Sequence, residues 1–341
     1  MEWRDLSVLI TGGTGSFGNR FVKTLMEKYK PRRLIVFSRD ELKQMEMRIK
    51  INDNGSTVMR YFIGDVRDKE RLYRAFKGVD IVVHAAALKQ VPTAEYNPLE
   101  VIKTNVMGMA NVIDAAIDCK VKKVIALSTD KAANPVNLYG ATKLCADKLC
   151  AAAGVYGREK STIFSVVRYG NVMGSRGSVI PFFRQQAEKG FIPITDPRMT
   201  RFWITLDQAV EFVIKCISMM RGGEIFVPKL PSMKIMDLAE AIAPSAEIDI
   251  VGIRPGEKLH ETLLTEDEAR RTVEYKDLYI VNPSTSNIKN ENSSHLAGKP
   301  VPEGFCYSSN ENNWWLTVEQ MRKLINEPQG QDHFFLRTAI A

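Results

Sequence analysis

The apolar run Ser7–Thr11 ends in Gly12, Gly15 and Gly18, spaced by three, and a helical stretch opens at Phe17. Glycines at that spacing between a strand and a helix permit a tight turn and let backbone N–H groups approach an anion at the helix N-terminus. An ordinary strand-to-helix turn is the bland alternative. The context favours a pyrophosphate-binding turn, with Gly12, Thr14, Gly15, Ser16, Phe17 and Gly18 as candidate contacts.

Beyond that turn, strand-like and helical runs alternate. Ser7–Thr11 is followed by a helix over 17–29, Arg33–Phe37 by one over 41–51, Val58–Ile63 by one over 69–76, and Asp80–Ala85 by one over 101–116. A fifth strand over 121–128, a helix over 139–154 and a sixth strand over 161–169 complete the pattern. The expectation is an α/β fold: a doubly wound parallel Rossmann sheet with a smaller mixed α/β substrate domain. Residues 1–172 form the dinucleotide lobe, with a return segment near 205–228. Residues 173–341 form mainly the second lobe, because Gly174, Gly177, Pro181, Pro193 and Pro197 break the chain into short elements. The Ser-, Asn- and Pro-rich stretch 284–304 reads as an exposed loop or a partner-covered arm, and 329–341 carries little signal.

The 341 residues are 45% hydrophobic, enough to bury a large core. The net charge of +7 comes from basic residues interleaved with acids, which argues against nucleic acid and suits a cleft that attracts phosphates. Five cysteines without metal-ligand spacing read as reduced thiols. No apolar run approaches a membrane span. A soluble, cytoplasmic protein is expected.

The ends of the next strands refine the cofactor. Where an NAD site usually carries an acid to hold the ribose, this chain has Ser38-Arg39-Asp40. Arg39 can clamp a 2′-phosphate and Lys43 can add charge, which favours NADP, while Asp40 keeps NAD open. Asp65-Val66 is placed to meet the adenine, and Ala85-Ala86 leaves room for the dinucleotide backbone.

Chemistry concentrates after the fifth strand, where Ser128-Thr129-Asp130-Lys131 is followed by Tyr139 and Lys143. Tyr139 and Lys143 share a helix face, so the ammonium can lower the phenol's pKa and make it a base. Adjacent residues on an extended strand point apart, so Asp130 and Lys131 can act on one substrate only if the backbone turns there. A surface ion pair is the alternative for those two residues.

Four blocks, 128–135, 139–143, 168–172 and 254–258, together resemble the extended short-chain dehydrogenase/reductase family. Within it, they resemble the inverting UDP-N-acetylglucosamine 4,6-dehydratases of pseudaminic acid biosynthesis. The blocks 38–43 and 87–92 fit the same group. The resemblance implies that Lys131 stands where retaining dehydratases have glutamate, as the base for C5. It implies Asp130 as the acid for the 6-hydroxyl and Tyr139 with Lys143 at the 4-hydroxyl. Nearby Lys143 and partial desolvation are expected to lower Lys131. The resemblance further implies that Lys89, Asn171, Thr195, Met199, Arg254 and Glu257 meet the UDP-sugar, an ion pair with Glu257 being the alternative for Arg254. A homo-oligomer, dimer or hexamer, is implied as well. A UDP-sugar 4-epimerase shares fold, cofactor and tyrosine but needs no C5 base. A non-catalytic NADP-sensing scaffold would have no use for all four titratable groups.

Overall fold

In the computed structural model, which describes residues 1–51, 53, 58–155, 162–283 and 297–326, one large sheet organises the chain. Six strands, β1 Ser7–Thr11, β2 Arg33–Ser38, β3 Met59–Ile63, β4 Ile81–His84, β5 Lys123–Thr129 and β6 Ile163–Tyr169, lie parallel in the order 3-2-1-4-5-6. The strands β1, β2, β4, β5 and β6 are buried almost throughout, as a parallel sheet covered on both faces requires. The chain order reverses between β1 and β4, which opens a crevice beyond their carboxyl ends.

The return segment joins this sheet, since Ile225–Pro228 pairs parallel with β6. Three further strands extend it antiparallel: Leu278–Val281, Thr272–Glu274 and Lys299–Pro300. The sequence reading gave this region no strands, because three- and four-residue pieces are too short to show periodicity. Most of the expected arm and the whole terminal stretch 329–341 lie outside the described residues.

A second core gathers beside the crevice, around Met173, Ile180, Phe183, Trp203, Leu238 and Met321. It packs between the helices Val179–Ala187, Ile235–Ile242 and Val318–Asn326 and short strands such as Thr200–Ile204. Phe182 is 40% exposed, whereas Phe183 and Trp203 are core.

Two expected helices are interrupted. The first runs as Ser16–Thr24 and then widens over Leu25–Tyr29, where the Lys30 N–H bonds the Leu25 carbonyl at 2.7 Å. The other widens over Lys103–Met107, a local departure that helices often show at functional sites. Here it carries Asn105 inward. The Asn105 side chain holds both the N–H and the carbonyl of Leu88, at 2.8 and 2.9 Å, and reaches Thr142 at 3.1 Å.

Candidate active site

The crevice is a cleft of about 1300 Å³ that runs from the glycine turn to the segment around Lys258. Its floor begins at Gly12, whose φ of +65° favours glycine; a Cβ there would meet the Ala86 backbone at 2.9 Å. A Cβ on Gly18 would sit 2.2 Å from the Gly13 carbonyl oxygen. Gly15 stands at the N-cap of Ser16–Thr24, so the helix's first N–H groups open onto the cleft. This cradle, kept open by glycine and rich in backbone donors, fits the pyrophosphate of a dinucleotide. Thr14, Ser16 and Phe17 line it, as do Ala85 and Ala86 on the opposite wall.

Further along, Ser38, Arg39, Asp40 and Lys43 line the cleft together with Asp65 and Val66. Asp40 caps the helix Glu41–Lys50 by accepting from the Lys43 N–H at 3.0 Å, and its carboxylate also pairs with the Lys43 ammonium. These bonds hold Asp40 below the usual carboxylate range. Arg39 approaches Asp65 at 3.6 Å and is 55% exposed. Burial pushes Asp65 up, but the Arg67 guanidinium, bonded at 2.9 and 2.7 Å, leaves it lowered. Both basic residues at this end therefore have carboxylate partners.

The chemical centre lies where β5 stops. At Thr129 the chain turns through Asp130–Ala132, and the Thr129 hydroxyl accepts from the Lys131 N–H at 3.4 Å. The turn brings the two side chains together, with Lys131 Nζ 3.1 Å from Asp130 Oδ1. It does not put both on the cleft wall. Lys131 lines the cleft, while Asp130 is fully buried behind it and accepts from Thr129 Oγ1 at 2.8 Å. Asp130 Oδ2 has no hydrogen-bond partner. Burial pushes Asp130 up against the pull of Lys131, which keeps the acid protonated more readily than an exposed aspartate.

The expectation for Lys131 is reversed. Burial pulls its pKa down, but Asp130 and Glu261 overrule burial and hold it above the ordinary lysine range. Glu261 Oε1 lies 3.0 Å from Nζ. Lys143 is not what acts on it. Lys143 Nζ instead donates to the Leu127 carbonyl at 2.6 Å, and burial lowers its pKa.

Tyr139 and Lys143 sit on the helix Leu138–Ala152, which Asn137 caps by accepting from the Gly140 N–H at 2.8 Å. Both line the cleft. Burial raises the Tyr139 phenol to about 12, opposed by Lys131 and by a hydrogen bond to Thr129. Lys131 is thus the cation that pulls the phenol down most.

Among the residues expected at the substrate, Lys89, Asn171 and Glu257 line the cleft. Burial, with Lys131 nearby, pulls Lys89 down. Thr195, Met199 and Arg254 do not line it. Thr195 donates to Met199 Sδ at 3.1 Å, and Met199 is packed into the second core. Arg254 is exposed, and its backbone N–H, rather than its guanidinium, reaches Glu257 at 3.4 Å.

Sequence reasoning passed over Glu261, Arg201 and Asn105. Glu261 and Arg201 line the cleft and face Lys131, but they stand on separate segments that only the fold unites. Asn105 had no flanking motif. Lys258, inside one of the recognised blocks, also lines the cleft and donates to the Ala133 carbonyl at 2.6 Å, steadying the Asp130–Ala132 turn. No helix among the described residues is long and apolar enough to cross a membrane. All five cysteines are free thiols.

A crevice at the reversal of a 3-2-1-4-5-6 sheet, with a tyrosine and a lysine four residues apart on its wall, defines a dinucleotide-binding fold of the short-chain dehydrogenase/reductase type. Residues 8–283 match the polysaccharide biosynthesis protein family, and the chain belongs to it. It is 54% identical over 331 residues to the UDP-N-acetylglucosamine 4,6-dehydratase (inverting) of Campylobacter jejuni, covering 95% of this chain and 98% of that one. It is 45% identical over 287 residues to the UDP-glucose 4-epimerase of Rickettsia conorii, covering 81% and 83%. Among solved structures, Pen from Bacillus thuringiensis superposes with a TM-score of 0.86 at 39% identity, covering 95% of this chain and 98% of Pen. The dTDP-glucose 4,6-dehydratase DesIV of Streptomyces venezuelae, solved with NAD, shares the fold at a TM-score of 0.65 and 24% identity, covering 74% and 87%.

Proposed function

We propose that this protein is an NADP-dependent hydro-lyase, an inverting UDP-N-acetylglucosamine 4,6-dehydratase. Its product is UDP-2-acetamido-2,6-dideoxy-β-L-arabino-hex-4-ulose, a first step towards pseudaminic acid or a related surface sugar. The observation that supports this most is the Lys131 amine on the cleft wall, in a chain 54% identical to an enzyme named for that reaction.

A nicotinamide dinucleotide held by Gly12, Gly15 and Gly18 would supply a reversible hydride acceptor, taking the hydride of C4 and returning it at C6, so that the cofactor ends as it began. The chain's own residues handle the protons. Tyr139 Oη takes the proton of the sugar's 4-hydroxyl, and the ketone formed at C4 acidifies the hydrogen on C5. Lys131 Nζ, once it has given up the proton that Asp130 and Glu261 favour on it, removes that hydrogen as a proton, and after reduction at C6 a proton returns to C5 on the opposite face. The electron pair moves into the C5–C6 bond as the C6–O bond breaks, and Asp130, whose neutral form burial favours, gives its proton to the departing oxygen. Because Asp130 lies behind the wall, its proton has to travel through Thr129 Oγ1, which lines the cleft 2.8 Å from Asp130 Oδ1, or the turn has to open. The wall around Lys89, Asn171 and Glu257 is suited to the diphosphate and ribose. Free thiols fit the cytoplasm, and the exposed apolar side chains Tyr96, Leu99 and Met107 fit a homo-oligomer, dimer or hexamer.

A 4-epimerase is the second reading, favoured by the Rickettsia relatives. One experiment separates the two: incubation with UDP-N-acetylglucosamine and NADP in deuterated water, followed by NMR of the sugar. The dehydratase yields a 6-deoxy-4-keto sugar carrying deuterium at C5 with inverted configuration. A change confined to C4 overturns the reading in favour of the epimerase, and cofactor binding with unchanged sugar favours a sensor.

A further inference from the structure

Glu261 is placed with more care than a structural carboxylate needs. Its N–H donates to Ser309 Oγ at 2.9 Å, and its carbonyl accepts from the Ser309 N–H at 2.8 Å. Ser309 Oγ lies 2.7 Å from Thr200 Oγ1, which in turn meets His260 Nδ1 at 2.9 Å. The backbone is thereby pinned on both sides, and the side chain, 3% exposed, points at Lys131. Glu261 Oε2 has no hydrogen-bond partner. A carboxylate buried in this way is costly unless cations face it. They do: Lys131 at 3.0 Å, Arg201 at 3.7 Å and Lys258 at 4.0 Å.

We propose that Glu261 is a positioning residue for the elimination: it holds Lys131 Nζ at the cleft wall and sets the pH at which that amine is free to accept a proton. This rests on the dehydratase reading given above. Asp130, the other carboxyl in contact with Lys131, is fully buried with one oxygen unbonded, so it serves as the acid while Glu261 supplies the lasting negative charge. The groups facing Lys131 are Asp130, Glu261, Tyr139, Lys89, Arg201 and Lys258. Of these, Glu261 is the carboxylate that keeps its charge throughout the cycle. When the C5–H bond breaks, the proton goes to Nζ, and the new ammonium forms already paired. Glu261 itself gains and loses nothing.

The test uses Glu261→Gln in the full-length protein and two readouts. Competitive labelling with acetic anhydride, quantified on the Lys131 peptide by mass spectrometry across pH, follows the amine's own titration without turnover. Removing a full charge 3.0 Å away moves the labelling midpoint down by about one pH unit or more. The rising limb of C5 deuterium incorporation moves down by the same amount, while NADP affinity stays within about twofold. Glu261→Asp keeps the charge at a longer reach and moves the midpoint less, in the same direction, which covers the case of a glutamine variant that does not fold. A labelling midpoint that stays put in either folded variant overturns the proposal, even where activity drops at every pH, since that pattern marks a merely structural residue. A shifted midpoint in a protein whose wild type performs no C5 exchange leaves the control of Lys131 standing and removes the dehydratase reading instead.

Discussion

Gly140 is the point at which the fold fixes the distance between the tyrosine and the turn that carries the acid and the amine. It follows Tyr139 in the first turn of the helix Leu138–Ala152, and a Cβ there would lie 2.2 Å from the Lys131 carbonyl oxygen and 3.1 Å from Pro135 Cβ. Ordinary contact begins at 3.4 Å, so Gly140→Ala must open a gap of about 1.2 Å between helix and turn. Neither side yields cheaply. The helix is capped by Asn137, and the turn is tied by Lys258 to the Ala133 carbonyl. Overpacking of this kind costs about 1–3 kcal/mol of stability. The larger effect falls on the chemistry, because a displacement of about 1 Å between reacting groups costs on the order of 100-fold in rate. Turnover of UDP-N-acetylglucosamine followed by NMR, beside thermal melting and NADP titration, separates the two effects. We expect kcat to fall about 100-fold while the protein remains folded and binds NADP, since the glycine cradle lies apart from the clash. Gly154→Ala, with nothing within 4 Å of its added carbon, serves as the control and stays near wild type. A folded Gly140→Ala protein with kcat within about threefold of wild type would refute the argument that this backbone contact sets the geometry.

Three further outcomes are expected. Lys131→Ala abolishes deuterium incorporation at C5 and leaves NADP affinity unchanged; retained exchange in deuterated water removes Lys131 as the base. Arg39→Ala weakens NADP by a larger factor than NAD in parallel titrations, through loss of a guanidinium that is 55% exposed at the ribose end of the cleft; equal losses dismiss the 2′-phosphate contact. Arg168 is 1% exposed and bonds Glu268 at 2.9 and 3.1 Å and Asp147 at 3.4 Å. Arg168→Leu therefore leaves buried carboxylates unpaired and costs about 3–5 kcal/mol in urea unfolding. Burial pushes Glu268 up, but Arg168 overrules it and leaves the carboxyl lowered. Its stabilisation is thus present above the unfolded value of about 4.3 and is lost as pH falls through the lower folded value. The stability lead of wild type over Glu268→Gln should shrink below about pH 4.3, and a constant lead from pH 7 to pH 3 refutes the linkage.

What the sequence revealed follows the range over which each signal acts. The strands β1 to β6 and the glycine turn were readable because apolar runs and glycine spacing are local, and each is dictated by burial or by backbone space within a few residues. The short antiparallel pieces Thr272–Glu274 and Leu278–Val281 were not. Leu278–Val281 is held by pairing with Ile225–Pro228, a partner about fifty residues away, and Thr272–Glu274 only pairs in turn with Leu278–Val281; such pairing leaves no periodic trace in pieces so brief. In the same way, Tyr139 and Lys143 were legible on one helix, while the pull of Lys131 on the phenol comes from the turn at Asp130–Ala132. Thr195, Met199 and Arg254 came from likeness of position alone, and here the first two bond each other while Arg254 faces solvent.

The electrostatics of the site follow from this division between local and distant partners. An aspartate and a lysine adjacent in sequence would, by themselves, form an ion pair and neutralise one another. Full burial shifts the acid towards its uncharged form, and the ammonium gains a second carboxylate partner from outside the turn. Glu261, brought in from a distant segment and pinned through Ser309, is that partner, and Lys131, Arg201 and Lys258 together lower its pKa against burial. The cleft thus shifts Asp130 towards its neutral form and Lys131 towards its charged form. On the dehydratase reading proposed above, substrate entry would have to weaken the hold on Lys131 for the pair to work in opposite directions on one sugar.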